Sequence, residues 1–187
     1  MRTTKQLLAD SLMELLETEP FDKITVKDIS AKCGVSRQSF YYYFDDIYDL
    51  VEWIFLQETQ NALSDYSRID NWQIGYVLML NWALSHKSFV MNIYKSVPRE
   101  YTERYMKRVL HEYMFKLVEQ QAQGMHVTQA QCEFIANFFT LALNAFSLDW
   151  IENGMREQPE EMAQEVSILV QGDFQKALTY FEKKNTK

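Results

Sequence analysis

Apolar residues recur along this chain three and four positions apart, and short polar stretches between the runs carry caps and breakers; the pattern predicts about nine helices. The first runs from Thr3 or Thr4 to about Thr18, with Leu7, Leu8, Met13, Leu15 and Leu16 toward a core. A second is capped by Thr25, with Asp28 three residues on as a carboxylate variant of the capping box, and packs through Val26, Ile29 and Ser30. Gly34 supplies the left-handed residue that ends it, Val35 is the expected buried hinge, and Ser36 caps a third helix reaching Phe44. The fourth starts at Asp45 or Asp46 and carries Leu50, Val51, Ile54 and Phe55 toward Ser67, linking a head to a body. Asp70 caps a fifth, through Trp72, Tyr76, Leu80 and Ala83 to His86. Ser88 opens a short sixth, which Pro98 ends, and a long seventh runs from about Glu100 to Gln123, closed by Gly124. Thr128 and Gln131 make the capping box of an eighth, Ala130 to Asn153, stopped by Gly154. A ninth opens at Pro159 and Glu160 and reaches about Phe181.

The eighth and ninth helices are apolar on more than one face. Phe134, Ile135, Phe138, Phe139, Leu141, Ala142, Ala145, Phe146, Leu148 and Trp150 cover most of the eighth. Met162, Val166, Leu169, Val170, Phe174, Ala177, Leu178 and Phe181 repeat along the ninth. Such helices are buried on both sides. In so small a body, a second copy of the chain is the simplest cover, which predicts a homodimer with a two-helix face from each copy.

Composition agrees. With 5 glycines and 3 prolines in 187 residues, the chain has few breakers and should be nearly all helix. The expected fold is all-α: an N-terminal three-helix head over residues 1–46 and a helical bundle over 47–187. The net charge of −7 is unevenly spread. Residues 1–44 hold six basic and six acidic side chains, which leaves 13 basic and 20 acidic in the remainder. The body therefore repels nucleic acid and the neutral head does not. Cys33 and Cys132 make no disulfide framework and read as small buried thiols in a reducing cytoplasm. Asp10 and Glu14 interrupt the only apolar run near the N-terminus, so no secretory signal is expected. The uncharged stretches Asn71 to His86 and Phe134 to Leu148 fall short of the roughly 20 apolar residues a membrane span needs. A cytoplasmic protein with no membrane partner is the expectation.

The chemistry concentrates in Thr25 to Phe44, TVKDISAKCGVSRQSFYYYF. Two short helices joined by a tight turn make a helix-turn-helix, whose second helix enters the major groove of double-stranded DNA by its N-terminal end. Phe40 and Phe44 share the packing face of that helix. At about 100° per residue, Gln38 and Tyr42 lie opposite, flanked by Arg37 with Tyr41 and by Ser39 with Tyr43. Arg37 and Gln38 are fork-shaped hydrogen-bonders of the kind that read guanine and adenine edges. Ser39 and the tyrosine hydroxyls suit phosphate oxygens. An ordinary amphipathic helix would pack its tyrosines inward, but three consecutive tyrosines cannot all face one core.

These residues resemble the TetR family of bacterial transcriptional regulators. The family's pattern stands here as Leu7 to Leu16, Thr25 to Cys33, Gly34-Val35-Ser36 and Phe40-Tyr41-Tyr42-Tyr43-Phe44, covering roughly residues 3 to 55. Arg37 to Phe55 also resembles the subgroup related to the activator of dihydroxyacetone kinase operons. The resemblance implies that Thr25 and Lys27 touch backbone phosphates, that Arg37, Gln38 and Ser39 meet bases, and that Tyr41, Tyr42 and Tyr43 flank the groove; Ser36, the N-cap of the reading helix, is counted with them as a DNA-binding residue. It also implies the dimer, a palindromic operator and an effector-responsive body. The chain departs from the pattern after Phe44: Asp45, Asp46 and Asp49 stand where most members carry a short turn and a phosphate-facing lysine. These aspartates suit the positive end of the fourth helix, yet they remove a counterion-releasing contact and favour modest DNA affinity.

In the body, large adaptable side chains on helices four to eight suggest an apolar cavity with polar anchors. Trp72, Tyr76, Met91, Tyr94, His111 and Phe138 are the candidate ligand-binding residues, with Asn92 and Asn144 as further anchors. His86, His111 and His126 lie too far apart for a helix-spaced metal pair, and no nucleophile elbow, phosphate loop or HExxH occurs. A non-enzymatic regulator without cofactor is the expectation, its partners DNA, a second copy and a small-molecule or protein effector. The alternative is a coregulator of the same shape that works mainly through a protein partner and touches DNA weakly. A helical ligand-binding or catalytic domain retaining the head is the reading from another class.

Overall fold

The computed structural model describes residues 2–63, 72–170 and 172–186. The expected starts and ends at Ser67 and Asp70 lie outside the described residues. Among the described residues the chain is all-α, with ten α-helices: α1 Thr4–Leu15, α2 Val26–Cys33, α3 Arg37–Tyr43, α4 Ile47–Leu63, α5 Trp72–Ser85, α6 Lys87–Ser96, α7 Arg99–Gln121, α8 Gln129–Glu152, α9 Pro159–Val170 and α10 Asp173–Asn185. A 3-10 turn, Phe21–Lys23, lies between α1 and α2.

Side-chain caps set where the helices start. Thr3 with Gln6, Thr25 with Asp28 and Thr128 with Gln131 each form a reciprocal capping box at the start of α1, α2 and α8. Each box satisfies two otherwise orphaned backbone donors. At Gly34, φ is +72°, a left-handed conformation that ends α2 at little cost only for glycine.

In the head, Leu8, Leu12 and Leu16, with Phe21, Ile24, Ile29, Phe40 and Phe44, pack into one buried cluster. Each such side chain contributes roughly 1.5–3 kcal/mol by leaving water. Leu50, Val51 and Ile54 on α4 close it from the body side. In the body, α7 and α8 lie along each other, α5 packs on α4 and α9, and α10 packs on α7 and α8.

Several expectations are corrected. The first helix stops at Leu15 rather than Thr18, and Leu7, Met13 and Leu15 are half-buried while Leu8 and Leu12 fill the core. Val35 is half-buried, as is Cys33, whose Sγ leans on the carbonyl of Ile29 at 3.3 Å; Cys132 is buried. The ninth helix is two, α9 and α10. Gly172 sits between them at φ +80°, and a residue in that conformation cannot continue an α-helix. Helix α8 is long and apolar enough, by length and composition, to cross a membrane, whereas the uncharged stretch Phe134 to Leu148 alone is too short for one. Just 56 % of its most apolar window is buried inside the chain, on α7 and its neighbours.

Candidate nucleic-acid interface

The outward surface of α3 is assembled by burying the opposite face of that helix. Phe40 and Phe44 are almost fully buried, with ring centroids 5.7 Å apart, and Phe44 meets Trp53 of α4 at 5.9 Å. With those rings anchored, helical geometry turns Tyr41, Tyr42 and Tyr43 outward, and they are 59 %, 80 % and 36 % exposed. Tyr41 sets its ring edge-on to Phe40 at 5.5 Å, and Tyr42 and Tyr43 meet edge-on at 4.8 Å. The phenols are thus held as a ridge, their hydroxyls without a hydrogen-bond partner among the described residues. Arg37 and Gln38 are exposed in the first turn.

The start of α3 is tied by two serines. The backbone N–H of Ser39 donates to Ser36 Oγ at 3.0 Å, and the two hydroxyls lie 2.9 Å apart. On α2, Thr25 and Lys27 are exposed. The Thr25 hydroxyl donates to Asp28 Oδ2 at 2.5 Å and the Thr25 N–H to the same oxygen at 3.0 Å. These bonds hold the Asp28 carboxyl below its ordinary pKa of 3.8. At the start of α4 the aspartates cap their own backbone: Asp45 N–H donates to Asp49 Oδ2 at 3.1 Å, and Asp49 N–H to Asp46 Oδ1 at 2.9 Å. The structure therefore brings all nine sequence-selected residues, Thr25 to Tyr43, onto α2 and α3 of the head, none of them in the core.

The body is fastened to this head by Asn92 on α6. Its Oδ1 accepts the Phe21 N–H at 3.0 Å, and its Nδ2 donates to the carbonyls of Leu16 and Glu19 at 3.2 and 2.8 Å. Asn92 is therefore not the ligand anchor expected from sequence; its side chain is turned onto the loop between α1 and α2. Nothing in local spacing signals such a long-range tie.

Inside the body lies an apolar cavity of about 50 Å³, lined by Phe55, Trp82, Tyr94, Tyr105, Met106 and Trp150 among others. Of the six candidate ligand residues, Tyr94 alone lines it. Its hydroxyl donates to Glu152 Oε2 at 3.1 Å, and burial followed by that carboxylate raises its pKa. Tyr76 is buried instead, its hydroxyl 3.0 Å from Ser147 Oγ, and burial pushes its pKa up to about 12. Trp72 is buried beneath Tyr113, whose hydroxyl donates to the Trp72 carbonyl at 3.0 Å. Met91 is half-buried away from the cavity wall. His111 pairs with Glu133 at 3.0 Å across α7 and α8. Phe138 is 63 % exposed on the outer side of α8, because the opposite side of that helix takes the place against α7. There it lines an open groove of about 600 Å³ with Phe134, Phe146, Leu169 and Phe181.

Two family models match the chain: bacterial regulatory proteins of the tetR family over residues 8–54, and transcriptional regulator C-terminal region over residues 70–172. The chain belongs to the TetR family. This transcriptional regulator is 28 % identical to the HTH-type dhaKLM operon transcriptional activator DhaS of Lactococcus lactis over 91 residues, 49 % of either chain. The alignment thus spans about half of that relative. The solved dihydroxyacetone kinase operon activator DhaS superposes with a TM-score of 0.70 at 21 % identity, covering 96 % of this regulator and 98 % of that chain. The fatty acid degradation regulator FadR from Bacillus halodurans follows at 0.55 and 13 %, covering 95 % and 96 %. The repressor AlkX from Dietzia stands at 0.54 and 16 %, covering 93 % and 96 %. At these identities the likeness is one of fold.

Proposed function

We propose that this regulator works as a cytoplasmic homodimer that grips a palindromic operator with two copies of the α2–α3 head, residues 1–46, and answers an effector through residues 47–187. The carrying observation is the outward ridge of Tyr41, Tyr42 and Tyr43 beside exposed Arg37 and Gln38, over buried Phe40 and Phe44. Arg37 and Gln38 read base edges, with Ser39 beside them. Thr25, Lys27, Ser36 and the tyrosine hydroxyls position the head on phosphates. The reading helices stand about 34–36 Å apart or a little more, one turn of duplex DNA.

The exposed apolar residues of α8 and α9 support the pairing: Phe134, Phe138, Ile168 and Leu169 are each more than 60 % exposed in the single chain. A patch of this kind marks an interface. The effector site is the cavity behind Tyr94. At about 50 Å³ it is far below the roughly 300–1,000 Å³ of a ligand pocket, so binding requires its walls to open. No catalytic step is assigned.

Titrating the protein onto its own upstream DNA over a range of salt tests the reading. With Lys27 the phosphate-facing cation of each reading surface, the slope of log K on log salt should be on the order of −2 for two heads. Tight palindrome-specific binding with that slope supports it. Binding only after a protein partner is added would favour a coregulator, a second reading that the three aspartates at the start of α4 support.

A further inference from the structure

Lys5, in the first turn of α1, holds its ammonium over three aromatic rings. Nζ lies 5.4 Å from the ring centroid of Phe44, 5.8 Å from that of Tyr43 and 5.8 Å from that of Trp53. A cation within about 6 Å of a ring centroid is attracted by the negative face of the ring, and tryptophan attracts it most. The rings come from separate places: Tyr43 ends the reading helix, Phe44 caps it, and Trp53 stands on α4. Among the described residues Lys5 has no share in the ion pairs of the head, where Arg2 meets Asp10, Lys23 meets Asp22 and Lys32 meets Glu14.

What α4 does on its other side gives this contact its meaning. Two residues beyond Trp53, Phe55 lines the interior cavity and meets Trp82, Phe89 and Tyr105 with centroids 5.6, 5.3 and 4.9 Å away. One short stretch of α4 therefore touches the cavity with one ring and the end of the reading helix with another. Coupling between two sites needs a physical contact that each state of one site alters.

The geometry points to Lys5 as a positioning residue: a cation clamp that locks the C-terminal end of α3 to α4, so that a movement of α4 reaches the reading helix without slack. Its consequence for DNA rests on the function proposed above; the clamp itself does not. A free lysine at this edge of the head could instead pair with a phosphate. The two roles differ in salt dependence, because a phosphate contact releases a counterion and a clamp does not.

The test uses the full chain with Lys5→Arg, Lys5→Gln and Trp53→Leu. In lysine-labelled protein without DNA, the Lys5 ε-methylene protons should resonate upfield of the other lysines, and Trp53→Leu should move them back. On the operator, Lys5→Gln should weaken binding about five- to tenfold with an unchanged salt slope. Lys5→Arg, which keeps a cation over the rings, should come within about twofold of the parent protein. An unshifted Lys5 signal overturns the clamp. So does a slope that falls by about one in Lys5→Gln, or a Lys5→Arg variant as weak as Lys5→Gln. If the parent protein binds no DNA, the proposed function fails, and the ring-shifted signal still decides the clamp.

Discussion

The side-chain amide of Asn92 donates to the carbonyl oxygen of Glu19 at 2.8 Å, across 73 residues of sequence. The same side chain holds Leu16 and Phe21, so one residue of α6 fastens three points of the loop between α1 and α2. Asn92→Leu keeps the bulk and leaves the Phe21 N–H and two carbonyls without their partner. The expected cost is about 1–3 kcal/mol. For a chain of this size that lowers Tm by about 2–4 °C per kcal/mol. Thermal unfolding measures it, and faster amide exchange at Phe21 localises it.

On the reading surface, Arg37→Ala should cost about 1–3 kcal/mol on the specific site and much less on random DNA. Competition binding on both sequences checks this. Equal losses would move Arg37 to the phosphates. Tyr42→Phe should weaken both sequences alike and leave Tm unchanged, because its ring is 80 % exposed and only the hydroxyl is lost.

The Thr25–Asp28 box carries a pH signature. In the folded protein the Asp28 carboxyl is held below 3.8, first by the Thr25 hydroxyl and then by the Thr25 N–H. A depressed carboxyl stabilises the fold above its unfolded pKa and ceases to do so as pH falls through its folded value. Asp28→Asn should therefore melt below the parent protein at pH 7, and the gap should narrow below pH 3.8. A gap that stays constant down to pH 2 would contradict this.

Tyr76 and Ser147 make an asymmetric pair. Ser147→Ala leaves the buried Tyr76 hydroxyl without its partner, at a cost of about 1–3 kcal/mol. Tyr76→Phe should cost less, because a serine hydroxyl can turn to a carbonyl of its own helix. Denaturant midpoints of the two variants give the order directly.

The outer groove offers a test of assembly. Phe138→Asp puts a carboxylate on the face proposed to pair, where the described residues lining the groove include no lysine or arginine. Sedimentation should show half the parent mass with helical content kept. A parent protein already monomeric at micromolar concentration would remove the homodimer from the proposal.

The local parts of this molecule were readable from its residues. Thr25 with Asp28, Thr128 with Gln131 and Gly34 mark helix ends by chemistry that acts over three or four residues, and each does so in the structure. The split of α3 into a buried Phe40–Phe44 side and an exposed tyrosine side follows from periodicity, and it is present as expected. Long-range relations were not readable. Phe138 and Tyr94 look alike in sequence, yet one faces outward and the other lines the cavity, because a helix apolar all round does not say which side its neighbour takes. Asn92 and Lys5 carry no periodic signal at all. Their partners are chosen by how α6 and α1 pack on the rest. Gly172 could have divided the last helix; the continuous apolar repeat around it masked the break.

The carboxylates of Asp45, Asp46 and Asp49, bonded to their own backbone at the start of α4, have a kinetic consequence. They leave a single head with little electrostatic hold on a duplex, so one alone should come off quickly. In the homodimer proposed above, residence on an operator depends on two weak grips acting in concert, and occupancy rises steeply with subunit concentration. For such a regulator, the abundance of the protein is itself part of the signal.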